Sequence, residues 1–313
     1  MVSEKVIILL ATYNGAKYIE NQIDSILKQK YEEWILYISD DGSSDDTIRI
    51  INEYSNTYKE KIKIIHGKKF GNARDNFLNL LSCCEGNYFM FCDQDDVWDN
   101  VKVSETLKNM KAREKEKGKN EPIMIFTDLK VVDEKMNIIN DSFAKYQGLN
   151  PKRTNFNELI IQNVVTGCTV MINDKLKSLV LRYNNSINIL MHDWWIALVA
   201  SKFGTISYID KQLIEYRQHS NNSVGAKNVN SIKYYFEKIK QVNKIKIALK
   251  MTRLQAKEFL DVFHDKLSKE DIQVISNYVE IMSFNKLKRI NFYRKNKVLK
   301  SKFVQNVGLF LWG

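Results

Sequence analysis

At 313 residues and 44% hydrophobic, the chain is long enough to bury one large core, and its 2 prolines and 12 glycines exclude a string of domains on flexible linkers. The formal net charge of +11 is uneven: from Lys227 onward 19 basic residues stand against 7 acidic ones, and the rest of the chain is close to neutral. A basic region after a neutral body points to an anionic partner, a membrane surface or a nucleic acid, or else to a solvated helical face.

In chain order, residues 6–10 are a continuous apolar run, the mark of a strand buried on both faces. Residues 18–29 follow, with Ile19, Ile23, Ile26 and Leu27 at helical spacing. Strand at 35–39, helix at 47–58, strand at 62–65, helix at 73–83 and strand at 88–92 continue the alternation. The first hundred residues therefore predict parallel βαβ units in an open, doubly wound half-sheet, which binds its ligand at the carboxyl ends of the strands. Residues 123–217 turn mixed, with strands expected at 123–126, 164–172, 206–209 and 213–217 and helices at 174–183 and 193–203. From Ser231 the pattern is helical and rich in lysine. The expected division is an α/β catalytic domain over 1–226, with a nucleotide-binding half at 1–100 and an acceptor half at 101–226, and a basic helical region over 227–313. Cys83, Cys84, Cys92 and Cys168 lack the pairing of a zinc site or disulfide framework and suit buried thiols in a reducing compartment. With no leader pattern and no run of about 18 apolar residues, a cytoplasmic chain is expected.

The loops after the strands carry the unusual residues: Thr12, Tyr13, Asn14 and Gly15 after the first, Asp40 to Asp45 after the second, Asp93 to Asp96 after the fourth. Acidic clusters at neighbouring strand ends repel each other unless a cation joins them. Asp93 and Asp95 offer hard oxygen ligands suited to Mg2+ or Mn2+ with phosphate oxygens. A helix-loop-helix calcium site is excluded, because its sixth and twelfth positions would hold Trp98 and Ser104 instead of Gly and Glu. The first strand also lacks the Gly-x-Gly-x-x-Gly turn of nicotinamide-binding folds, so phosphates need a metal and a cation such as Arg74.

In their order and spacing these segments resemble the family 2 glycosyltransferases of the GT-A fold, a Rossmann-like, doubly wound mixed sheet. The resemblance covers roughly the first hundred residues. It implies that Thr12, Tyr13 and Asp41, with Asn14 in the same loop, hold the base and ribose of a nucleotide, that Arg74 lies near the base or phosphates, and that Asp93, Gln94 and Asp95 form the donor and metal motif. Asp41 and Ser43 equally suit helix caps, and Tyr13 a packed ring.

A second segment, Met191-His192-Asp193-Trp194-Trp195 followed by Tyr216-Arg217-Gln218-His219-Ser220-Asn221-Asn222, resembles family members that build bacterial surface polysaccharides, rhamnosyltransferases among them. That resemblance makes Asp193 the catalytic base, Trp194 and Trp195 donor contacts of which at least one faces a groove, and His219 a metal ligand or diphosphate neighbour. As a plain helix cap Asp193 would look the same. The implied reaction is an inverting, metal-dependent transfer from dTDP-rhamnose, with a UDP-hexose as the alternative donor. The acceptor is a glycan or lipid-linked oligosaccharide, and the basic region rests on the inner face of the plasma membrane or forms a homo-oligomer contact. A sugar-nucleotide pyrophosphorylase is disfavoured by the absence of Arg from residues 12–18. Nucleic acid is not expected as a partner, because acidic strand ends repel phosphates.

Overall fold

The computed structural model describes residues 4–219 and 242–313. Ser220, Asn221 and Asn222 of the second motif, the boundary at 226/227 and the expected start of the helical region at Ser231 lie outside the described residues. Nine strands form one mixed sheet: β1 (Val6–Thr12), β2 (Trp34–Asp40), β3 (Ile62–Ile64), β4 (Tyr88–Cys92), β5 (Val97–Trp98), β6 (Ile123–Val132), β7 (Ile138–Asn140), β8 (Met171–Asn173) and β9 (Thr205–Arg217). Their order is β3-β2-β1-β4-β8-β6-β9-β5, with β7 hung on β6.

The parallel half is β3-β2-β1-β4. Its crossovers are α1 (Ile19–Leu27), α2 (Thr47–Thr57) and α3 (Ala73–Cys83). Because β1 is buried on both sides, its side chains divide two cores: Ile7 and Leu9 face one, Val6, Ile8 and Leu10 the other. At β4 the direction changes, since β8 runs antiparallel to both β4 and β6. The segment expected as a strand over 164–172 is strand only from Met171. Ahead of it Gly167–Thr169 forms a 3-10 turn, closed by the Thr169 hydroxyl donating to the Thr166 carbonyl at 2.6 Å. The two strands expected at 206–209 and 213–217 are one, β9, whose pairing with β6 slips after Thr127↔Ile209 to Asp128↔Gln212.

Helices α4 (Lys102–Lys117), α5 (Phe143–Tyr146), α6 (Phe156–Leu159), α7 (Asp174–Val180) and α8 (His192–Phe203) complete the described body up to residue 219. The basic region contributes α9 (Val242–Phe263), α10 (Lys269–Val279), α11 (Lys286–Lys295) and α12 (Phe303–Trp312). These helices share the core of α3 and α8: Phe259 and Phe263 of α9 lie 5.8 and 6.1 Å from the Trp195 ring. On α12, Leu309 faces inward, while Phe303, Val304, Val307 and Leu311 are exposed at helical spacing. Among the described residues no helix is long and apolar enough to cross a membrane. Cys83, at the end of α3, is exposed, and the other three thiols are buried.

Candidate active site

The loops after β1, β2 and β4 are stitched into one floor. Gln94 grips the backbone of Tyr13 from both sides: its Oε1 accepts the Tyr13 N–H and its Nε2 donates to the Tyr13 carbonyl, each at 2.9 Å. Gly15 makes room for that amide, since a Cβ there would stand 2.2 Å from Gln94 Oε1. Asn14, in the left-handed region at φ 48°, receives Ser44 N–H on its side chain and donates its own N–H to Ser43 Oγ, both at 2.8 Å. Asp40 accepts from the hydroxyls of Thr12 and Ser43 and from the Gly42 and Ser43 N–H groups. Asp41 receives the Phe70 N–H. This leaves Tyr13 57% exposed, so it is not a packed ring.

Behind this floor sits a concentration of buried acid. Donor atoms of Asp93, Asp96 and Cys168 all lie within 4.8 Å of one another. One oxygen of Asp96, Oδ2, has no hydrogen-bond partner although the residue is fully buried. Burial, then the charges of Asp95 and Asp193, lift the Asp93 carboxyl to about 7, and burial raises Asp96 and the Cys168 thiol well above their ordinary ranges. Such oxygens are short of positive charge and fit a hard divalent cation. Part of the balance comes from Lys102, fully buried with its ammonium 3.9 Å from the Trp98 ring centre; burial lowers it to about 8.

The end of β9 closes over this centre. Arg217 donates its backbone N–H to Asp96 Oδ1 at 3.3 Å and its Nε to the Asp95 carbonyl at 3.0 Å. His219 Nε2 lies 2.7 Å from Asp95 Oδ2, and its ring stacks on Tyr18. Of the trio expected from sequence, Asp95 and His219 pair with each other, and Asp93, which feels the Asp95 charge, also groups with Asp96 and Cys168.

Asp193 opens α8 and is 8% exposed, with Oδ1 unpartnered. Burial raises its carboxyl to about 7, against the pull of the Trp194 and Gly167 N–H groups. Beside it His192 is buried against the Phe77 and Phe91 rings with both ring nitrogens unpartnered, and burial lowers it to about 3. Gly167 is required for this packing, because a Cβ there would lie 2.8 Å from His192 Nε2.

One expected contact is corrected, and two expected donor contacts are engaged within the chain. Trp195 is 0% exposed, with its indole N–H on the Val180 carbonyl at 2.9 Å, so it is a core ring and cannot meet a sugar. Thr12 is 2% exposed and its hydroxyl is taken by Asp40, so only its backbone borders the crevice. The Arg74 guanidinium is committed to Asp75, which it holds down at about 2, and to the Ile189 carbonyl at 2.7 Å. Trp194 is half-buried and donates to the Leu159 carbonyl. Sequence reasoning gave no role to Asp96, Lys102, Gly167, Cys168 or His192. None has a local signature beyond the adjacency of Asp96 to the acidic motif and of His192 to Asp193.

The model of Glycosyl transferase family 2 matches residues 7–179. The dTDP-rhamnosyl transferase RfbG of Shigella flexneri is 30% identical over 230 residues, covering 69% of this chain and 74% of RfbG. Among solved structures, TarS 1–349 of S. aureus in complex with UDP superposes with a TM-score of 0.53 at 19% identity, covering 90% of this chain and 73% of that one. The mannosyltransferase PcManGT from Pyrobaculum calidifontis, solved with GDP-Man and Mn2+, gives 0.52 at 11% identity, covering 98% and 88%. The mixed sheet is the GT-A arrangement of these structures, and in this chain the helical region from Val242 onward follows it.

Proposed function

The chain belongs to glycosyl transferase family 2, and from that membership we propose that it is an inverting transferase moving L-rhamnose from dTDP-rhamnose to a glycan on a lipid carrier, in bacterial surface polysaccharide synthesis. The observation that carries the reading is Asp193: a buried carboxylate with one unpartnered oxygen, close enough to Asp93 in the loop after β4 for their charges to interact. The donor half is assigned to residues 1–100 and the acceptor half to 101–226.

In this reading the exposed Tyr13 ring covers the base, Asp41 lies toward the ribose, and Asn14 and Gln94 fix the loop that carries Tyr13. Asp93 and Asp95 would hold Mg2+ or Mn2+, with the Asp95–His219 pair at the edge of the diphosphate site. The cation supplies positive charge opposite the departing nucleoside diphosphate. Asp193 takes the proton from the acceptor hydroxyl as its oxygen attacks the anomeric carbon, and the half-buried Trp194 flanks the donor sugar. Attack and departure on opposite faces make one displacement, so the anomeric configuration inverts and no glycosyl-enzyme forms. An anionic membrane surface is the proposed resting place. The exposed apolar face of α12 belongs to a stretch, 281–313, with eight basic residues and no acidic one.

A calorimetric titration with UDP, dTDP, GDP and ADP, each with and without Mn2+, tests the donor reading. Metal-dependent binding of dTDP is expected; selective binding of UDP would replace rhamnose by a hexose, and binding of none would sink the transferase reading. Co-sedimentation with anionic vesicles, weakening as salt rises, is expected for the membrane contact, and its absence at low salt would remove it.

A further inference from the structure

The loop that leads into Asp193 has little structure of its own. Its one regular feature is a 3-10 turn at Ser186–Asn188, capped by the Asn185 side chain, and several of its other polar groups are satisfied by other elements. Glu258 Oε1 accepts the N–H of Asn184 at 2.8 Å and of Asn185 at 2.9 Å, and Oε2 accepts from Asn188 Nδ2 at 3.1 Å. Gln255 Oε1 accepts the Leu190 N–H at 2.8 Å. On the other flank Arg74 holds the Ile189 carbonyl.

Glu258 and Gln255 stand one turn apart on α9 and are 4% and 0% exposed. A carboxylate so deeply placed is costly unless its lone pairs are taken, and the three donors named here all come from this one loop. The same helix sets Phe259 and Phe263 against Trp195, so α9 grips both α8 and the chain that starts it. We propose that Glu258 and Gln255 are positioning residues of the transfer step: through the 184–190 loop they fix the first turn of α8 and hence the aim of the Asp193 carboxylate. The inference rests on the reading of Asp193 as base. It makes the basic C-terminal region part of the catalytic apparatus, built from residues beyond the stretch that the family shares, which ends at 179.

The test compares Glu258→Ala, Glu258→Gln and Asp193→Asn in the full chain by hydrogen exchange and by turnover with the donor that the titration selects. Alanine strands three donors, whereas glutamine keeps one carbonyl oxygen for both backbone N–H groups. Glu258→Ala is expected to lose protection over residues 184–196 while β1 to β4 keep theirs. Its kcat should fall about tenfold to a hundredfold, the scale of a displacement of roughly 1 Å, with donor KM within about twofold. Glu258→Gln should recover most of both. Unchanged exchange over 184–196 in Glu258→Ala overturns the proposal whatever the donor, and so does a donor KM that rises as far as kcat falls. Should Glu258→Ala not fold, Gln255→Ala against Gln255→Glu repeats the comparison at the Leu190 contact, with the same outcomes for and against. Normal turnover in Asp193→Asn would remove the base reading while leaving the exchange result intact.

Discussion

The proposed donor half and the proposed acceptor half of this molecule are held together in opposite ways. At the donor side each loop is fastened by its immediate neighbours in the sheet: Thr12 to Asp40, Asn14 to Ser43 and Ser44, Tyr13 to Gln94. At the acceptor side Asp193 is placed from a distance, with Gly167 beneath it and α9 holding the loop before it. A site of the first kind tolerates change elsewhere in the chain. A site of the second kind inherits errors from every segment that converges on it.

The strongest way to break this contrast is Asp193→Asn, which removes the proposed base while keeping the side chain's shape. Transfer is expected to fall by about 10²- to 10⁴-fold, the range of a general base, while nucleoside diphosphate binding by calorimetry stays within about twofold. In the unmodified protein kcat/KM should rise with pH through about 7, because Asp193 must lose the proton that burial helps it keep. An activity flat from pH 5 to 8 would contradict the assignment.

Metal and stability give an intermediate effect. Asp93 has its folded-state carboxyl raised to about 7, so its ionisation costs folding free energy as pH climbs from about 4, its unfolded value, to 7. A bound cation favours the ionised form. At pH 5 it must displace protons, and at pH 8 it need not. Saturating Mn2+ should therefore raise Tm by roughly 4 °C at pH 8, the scale set by a ligand at about a hundred times its Kd in a chain of this length, and by clearly less at pH 5. Equal shifts at both pH values would mean that the buried acids do not meet the cation. The smallest effect is expected for Gln94→Ala. Losing its two bonds to the Tyr13 backbone should weaken donor binding by about 1–2 kcal/mol with kcat nearly unchanged, which titration against the native protein reads directly.

The same contrast explains what the sequence could disclose. The loops of the proposed donor half were legible because they sit at strand ends, where continuous apolar runs stop and polar residues begin. The Asp193 segment was legible only as a motif, and half of its tryptophan pair was misplaced. Successive residues on an α-helix point about 100° apart, so Trp194 and Trp195 cannot share a face, and the core took Trp195. Gly167, His192 and Asp96 stayed hidden because their proximity follows from the insertion of antiparallel β8 beside β4, which no local pattern announces. Glu258 and Gln255 look like ordinary polar positions of an amphipathic helix until the partner loop is known.

The exposed thiol at the end of α3 turns this architecture into an instrument. Burial raises the thiols of Cys84, Cys92 and Cys168 and keeps them protonated, whereas Cys83 is open to solvent. A maleimide dye should therefore label the native chain at one position, without engineered cysteines. That position lies on the helix whose first turn carries Arg74, the residue that holds the loop before Asp193. Fluorescence anisotropy from this handle would follow nucleotide and acceptor binding in solution, on a protein otherwise unaltered.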